Sequence, residues 1–193
     1  GVASLGVSAF PAEVTRQMVL NFTHGGAAVN QLCKNADADL RVYEMSLDQP
    51  TKDYTQAPAL SEAEASRAMA YGMMAVEPGV DLLCVGEMGI ANTTAASAIA
   101  AALFGGTGTD WAGPGTGVHG AQLSRKAEVI DMGLAKHRAV FDDPFQILAA
   151  LGGHELAAIT GASGPRSLIR SPSDCPSTNS IAMYRDPSLD PNA

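Results

Sequence analysis

The stretch Asp81-Leu82-Leu83-Cys84-Val85-Gly86-Glu87-Met88-Gly89-Ile90-Ala91-Asn92-Thr93-Thr94 decides how this chain is read. An apolar run ends at Gly86. A carboxylate follows, then a second glycine, then Asn-Thr-Thr and an alanine-rich segment to Leu103. This order predicts a buried strand, a tight turn and a helix N-terminus. A strand that feeds a helix through glycines aims several backbone N–H groups at one point, and an anion such as phosphate is favoured there. Glu87 would repel a phosphate unless it faces another group. The turn therefore suits a ligand with an anionic end and a polar or cationic end. A plain glycine turn with an Asn-Thr helix cap is the competing reading. No Gly-Lys-Thr/Ser follows, so this is not a Walker loop, and the spacing is not the dinucleotide fingerprint.

Outward from that turn, strand-like and helix-like segments alternate. Ser8-Ala9-Phe10-Pro11 opens a helix to about Phe22, with proline suited to its first position and Val14, Met18 and Phe22 on one face. Gly25-Gly26 ends it. Residues Ala27 to Lys34 read as a second helix, Leu40 to Leu47 as a strand, and Gln49 to Leu60 as a loop carrying two prolines. Ser61-Glu62-Ala63-Glu64 is a capping box that starts a helix to about Glu77. Pro78-Gly79 stops it, and Val80 to Val85 is the second strand. After the helix of the opening motif, Gly105 to Gly117 holds six glycines and reads as a long flexible loop. His119 to His137 reads as a helix, Asp143-Pro144 starts another that ends at Gly152-Gly153, and His154 to about Ala162 is a short last one.

Alternating elements imply an α/β fold: a parallel sheet with flanking helices and right-handed crossovers, Rossmann-like, with ligands at the carboxyl ends of the strands. Glu87 lies at such an end. Only two strands are legible, so the sheet is expected to be incomplete, with exposed edges that favour aggregation. Residues 1–162 form the α/β domain. Residues 163–193 hold seven serines and five prolines without apolar periodicity, and read as an irregular tail that cannot pack a core.

Composition narrows the function. Of 193 residues, 46% are hydrophobic and 17% charged, as in a globular chain able to bury a core. The net charge of −8, with scattered Lys and Arg, argues against nucleic acid or an anionic membrane as partner. Cys33, Cys84 and Cys175 are odd in number and far apart, which fits reduced thiols in a cytoplasmic protein; Cys84 is expected to be buried. No stretch reads as a signal peptide or a bilayer span.

Other residues carry candidate chemistry. Gly113-Pro114-Gly115-Thr116-Gly117 lets backbone approach a ligand closely, and Lys126, about two turns into the next helix, can neutralise a phosphate. Ser8 and Gln17 flank the first helix and can line a pocket for a heteroaromatic ring, with helix capping as the alternative for Ser8. His24, His119, His137 and His154 share no metal-ligand spacing. Asp142-Asp143 reads as helix capping, and no Ser/His/Asp or Cys/His constellation stands out.

Five motifs in order give a resemblance over residues 1–162. They are Gly6-Val7-Ser8-Ala9-Phe10-Pro11, Val14-Thr15-x-Gln17-Met18-Val19-x-Asn21-Phe22, Gly25-Gly26-Ala27-Ala28-Val29-Asn30, Gly86 to Thr94, and Leu151-Gly152-Gly153. The chain resembles the nicotinate-nucleotide–dimethylbenzimidazole phosphoribosyltransferases of cobalamin lower-ligand assembly. The resemblance implies a glycosyl (pentosyl) transfer. The phosphoribosyl group of nicotinate mononucleotide moves to a nitrogen of dimethylbenzimidazole with inversion at the anomeric carbon, giving α-ribazole 5′-phosphate and nicotinate. It implies no metal or cofactor and a homodimer. Ser8, Gln17 and Met88 would contact the benzimidazole. Glu87, Gly89, Asn92 and Thr93 would surround ribose and phosphate, with Glu87 facing a ribose hydroxyl or the cationic ring. Gly115, Thr116, Gly117 and Lys126 would complete the phosphate site.

The chain departs from the family pattern in three places. Ala91 stands where the family has glycine, a mild change at an ordinary backbone angle. Pro114 stands for the arginine of Gly-Arg-Gly-Thr-Gly. Past Gly161-Ala162 the family continues with an apolar strand and later supplies a general-base carboxylate in a Gly-Glu-Gly context; residues 163–193 match neither. The expectation is a fragment or remnant without its catalytic base, which at most binds nucleotide or benzimidazole.

Overall fold

The computed structural model describes residues 1–164. Eight α-helices carry the fold among them: α1 (Val14–Thr23), α2 (Ala28–Asn35), α3 (Glu62–Ala75), α4 (Asn92–Phe104), α5 (Gly108–Trp111), α6 (Ala121–His137), α7 (Pro144–Leu151) and α8 (His154–Ala162). A 3-10 turn over Val2–Leu5 precedes them, and another, Arg138–Val140, follows α6. Apart from Ser163 and Gly164, the irregular tail expected over 163–193 lies outside the described residues.

The caps act as the sequence implies. Ser61 Oγ accepts the Glu64 N–H at 3.3 Å while Glu64 Oε2 accepts the Ser61 N–H at 2.7 Å, so two orphan donors at the start of α3 are satisfied reciprocally. Asp143 Oδ1 accepts the Phe145 N–H at 2.8 Å, with Pro144 in the first turn of α7. α1 starts later than expected, because Phe10 to Ala12 turn rather than wind.

One expectation is corrected, and the α/β expectation is met only in part. The glycine-rich loop contains α5, whose four residues show no apolar periodicity; Thr107 and Asp110 cap it as a reciprocal box. More importantly, the expected parallel sheet is absent among the described residues. Leu40–Leu47 runs without assigned secondary structure, and in Val80–Val85 only Leu83 carries an isolated bridge. A strand is defined by its neighbour, and alternation along one segment cannot create a ladder. Cys84 is accordingly only half-buried, whereas Cys33 is buried.

The main core lies where α4, α6 and α7 meet. Ala98, Val129, Ile130, Ile147 and Leu151 are sealed there with Tyr54. Each large aliphatic side chain contributes about 1.5–3 kcal/mol by leaving water. The loop before α3 is tied to the end of α7: the Ala59 and Leu60 N–H groups donate to the carbonyls of Ala150 and Ala149, both at 2.9 Å. Those carbonyls lie in the last turn, where intrahelical partners run out. α3 and α8 cross through two glycines. A Cβ on Gly72 would lie 1.9 Å from the Ala158 carbonyl oxygen, and one on Gly161 1.9 Å from that of Met69. No described helix is long and apolar enough to cross a membrane.

Candidate functional site

The turn from Gly86 leads into α4 as expected, but it uses several of its own N–H groups. Ile90 N–H donates to Thr15 Oγ1 at 3.0 Å, which fastens the turn to α1. Asn92 N–H donates to the Gly89 carbonyl at 3.2 Å, and Thr94 N–H to that of Ala91 at 2.9 Å. Asn92 Nδ2 donates to Glu87 Oε2, so Glu87 is oriented by the first residue of the helix that follows it. Gly89 gives the Asn92 amide its place, since a Cβ there would fall 2.5 Å from Nδ2. Ala91 sits at φ 75°, ψ 0°, in the left-handed region. The substitution from the family's glycine is therefore not at an ordinary backbone angle.

Lys126 is the centre of a second cluster, beyond the first turn of α4. It is 1% exposed, and its ammonium donates to Thr93 Oγ1 at 2.8 Å and to the Gly113 carbonyl at 2.9 Å. Burial lowers its pKa from the ordinary lysine value. Gly115, at φ 52°, passes so close that a Cβ would meet Thr93 Oγ1 at 2.8 Å and Lys126 Nζ at 3.1 Å. The first turn of α4, the glycine loop and α6 thus converge on one ammonium, which brings Thr93, Gly115 and Lys126 together.

Ser8 joins the same wall. Its hydroxyl lies 3.2 Å from that of Thr116, and its carbonyl accepts from Gln122 Nε2 at 2.7 Å. Gln17 does not join it: this side chain is on the exposed side of α1, whereas Met18, Val19 and Phe22 line the neighbouring cavity. Gly117, at φ 112°, donates its N–H to the Pro114 carbonyl at 3.0 Å.

That cavity, about 1060 Å³, is bounded by α1, the unpaired Leu40–Leu47 segment, the Gly86–Asn92 turn and the start of α8. Glu87, Met88, Gly89 and Asn92 face it, as do Gly153 and Glu155. Sequence reasoning missed Thr15, Gln122 and Glu155. Gln122 stands four residues before Lys126, on the same helical face, and Glu155 is an acidic residue in a first helical turn; these were the available signals. Among the described residues, no group of three or more His, Cys, Asp or Glu forms a cage for a metal.

The sequence profile of a phosphoribosyltransferase family, DBI_PRT, matches residues 1–164. A nicotinate-nucleotide–dimethylbenzimidazole phosphoribosyltransferase of Cereibacter sphaeroides is 58% identical over 162 residues, 84% of this chain and 48% of that protein. The one from Rhizobium rhizogenes is 51% identical over the same length. The crystal structure of CobT from Thermus thermophilus superposes with a TM-score of 0.70 at 41% identity, covering 84% of this chain and 54% of that one. The chain spans about half the length of the curated relatives it matches. With its profile matched from Gly1 to Gly164 and its relatives this similar, the chain belongs to the DBI_PRT phosphoribosyltransferase family.

Proposed function

We propose that this chain carries the nucleotide-binding part of an enzyme that moves phosphoribose from nicotinate mononucleotide to dimethylbenzimidazole. The carrying observation is the Lys126–Thr93–Gly113 constellation beside Gly115, at the mouth of the turn that holds Glu87. Lys126 and Thr93 hold the phosphate, with Gly115, Thr116 and Gly117 closing over it. Glu87, Gly89 and Asn92 orient the ribose. Ser8, Gln17 and Met88 contact the benzimidazole, and Gln17 reaches it only if α1 or its partner moves.

In that reaction a benzimidazole nitrogen attacks the anomeric carbon while the bond to the pyridinium nitrogen breaks. The electron pair leaves with nicotinate, so the cationic ring departs as a neutral heterocycle. The new benzimidazolium then loses its ring proton. Fixing phosphate and ribose removes most of the entropic cost of this encounter, and a positioned carboxylate takes the proton. The family's base lies beyond the Gly161-Ala162 step.

The apolar segments Leu40–Leu47 and Val80–Val85 are part of the proposal, as strands of a parallel α/β sheet. Cytoplasmic location belongs to it on the cysteine pattern, and a homodimer on the resemblance alone. Chromatographic assay of the chain with both substrates tests the activity through formation of α-ribazole 5′-phosphate. The second reading is a chain that binds nucleotide or benzimidazole without turnover. It is favoured by Ala91 at positive φ. Thermal stabilisation by nicotinate mononucleotide without product would select it.

A further inference from the structure

Two residues of α6 hold two different segments at the site. Lys126 donates to the Gly113 carbonyl at the start of the glycine loop, at 2.9 Å. Gln122, four positions earlier and so on the same helical face, donates from Nε2 to the Ser8 carbonyl at 2.7 Å. The two segments also meet each other. The Pro114 carbonyl accepts the N–H groups of Gly117 at 3.0 Å and Val118 at 2.9 Å, which turns the loop tightly around Thr116. The Thr116 hydroxyl lies 3.2 Å from that of Ser8. Helix, loop and the segment before α1 thus close into a triangle, with Gln122 at one corner.

Gln122 is not what keeps that segment on the protein. Val7 is buried in the main core, Leu5 packs against it, and Arg125 Nε donates to the Leu5 carbonyl at 3.3 Å. What the Gln122 bond adds is direction. It fixes the peptide plane that follows Ser8, and with it the turn in which Ser8 Oγ accepts the Phe10 N–H at 3.3 Å. The Ser8 hydroxyl is thereby presented to Thr116. Gln122 and Ser8 are 114 positions apart, so local chain geometry does not supply this constraint.

We propose that Gln122 is a positioning residue that acts through Ser8 and makes the phosphate loop and the base-contacting segment respond as one. The inference rests on the phosphoribosyl reading above, in which Thr116 closes over phosphate and Ser8 contacts the benzimidazole. Phosphate that orders the loop holds Thr116 where it meets Ser8, and a ring against Ser8 holds that hydroxyl where it meets Thr116. Each ligand lowers the ordering cost of the other, and the coupling is reciprocal.

The test is calorimetric binding of dimethylbenzimidazole to the full chain, with and without saturating ribose 5-phosphate. In the unsubstituted chain ribose 5-phosphate is expected to tighten dimethylbenzimidazole binding about fivefold, and the reverse titration to give the same factor. Gln122→Met keeps the side chain's length without its donor; the fivefold effect is lost, while ribose 5-phosphate alone binds as before. Gln122→Lys, which can again donate to the Ser8 carbonyl, restores part of the effect and guards against a folding defect in the methionine variant. Thr116→Val removes the hydroxyl contact and abolishes the coupling equally, and Gln122→Met adds nothing to it in the double variant. Coupling that survives Gln122→Met, or that is absent from an unsubstituted chain binding both ligands, overturns the role of Gln122 and leaves the phosphoribosyl reading standing. So does an equal loss of affinity for each ligand measured alone, which marks a merely structural bond. Failure of the folded unsubstituted chain to bind either ligand overturns both.

Discussion

Replacing Ala91 by glycine should stabilise the protein, although glycine usually weakens a helix. Ala91 precedes α4 at φ 75°, ψ 0°. For an L-residue with a Cβ this left-handed conformation costs about 1–2 kcal/mol, which glycine avoids. Against it stand the larger entropy of glycine in the unfolded chain, about 0.4–1 kcal/mol, and loss of a half-buried methyl, about 0.4 kcal/mol. That methyl packs at the edge of the main core. The balance is about 0.5 kcal/mol in favour of glycine, a rise in Tm of about 1–2 °C. The control is Ala96→Gly, in the same helix at an exposed position. It has nothing to gain from positive φ and should lose about 1 kcal/mol, lowering Tm by about 2–4 °C. Thermal and urea melts followed by circular dichroism compare the two. A fall in Tm at Ala91→Gly equal to that at Ala96→Gly would refute the strain argument.

Two further substitutions separate binding from folding. Lys126→Met fills the same buried volume without charge. It should leave stability within about 1 kcal/mol while weakening ribose 5-phosphate binding by at least about tenfold; unchanged affinity, measured by calorimetry, would remove Lys126 from the phosphate site. Gly72→Ala pushes a methyl to within 1.9 Å of the Ala158 carbonyl oxygen. It should cost about 3 kcal/mol and lower Tm by about 6–12 °C, and a melt like that of the unsubstituted chain would show that the crossing is not tight.

What the sequence disclosed depended on the range of the interaction. Caps at Ser61 and Asp143 involve residues two or three apart, and both were legible. The box of Thr107 and Asp110 is equally local, but six surrounding glycines concealed it. The sheet was not legible in the same sense, because Leu40–Leu47 has strand-like composition yet no ladder among the described residues. Residue types at the site were readable while pairings were not. Thr93 and Lys126, 33 positions apart, each suited a phosphate, and only folding makes them partners. Ala91 shows the converse: the residue was plain, but its consequence depends on a backbone angle that one sequence does not disclose. Glu155 was hidden because an acidic first turn is ordinary helix chemistry, and its proximity to Glu87 is tertiary.

The crossing of α3 and α8 also bears on how this site can vary. Its two helices interlock by backbone alone, each lending a carbonyl to a seat only a glycine can provide, at Gly72 and Gly161. Backbone seats do not change when neighbouring side chains are exchanged. The height of α8, and with it the reach of its first turn into the cavity, is therefore insulated from drift in the surrounding core. Side chains around the chamber are free to diversify while the start of α8 keeps its station. That division between a fixed backbone frame and variable walls would let one scaffold reshape its cavity without relocating the helix.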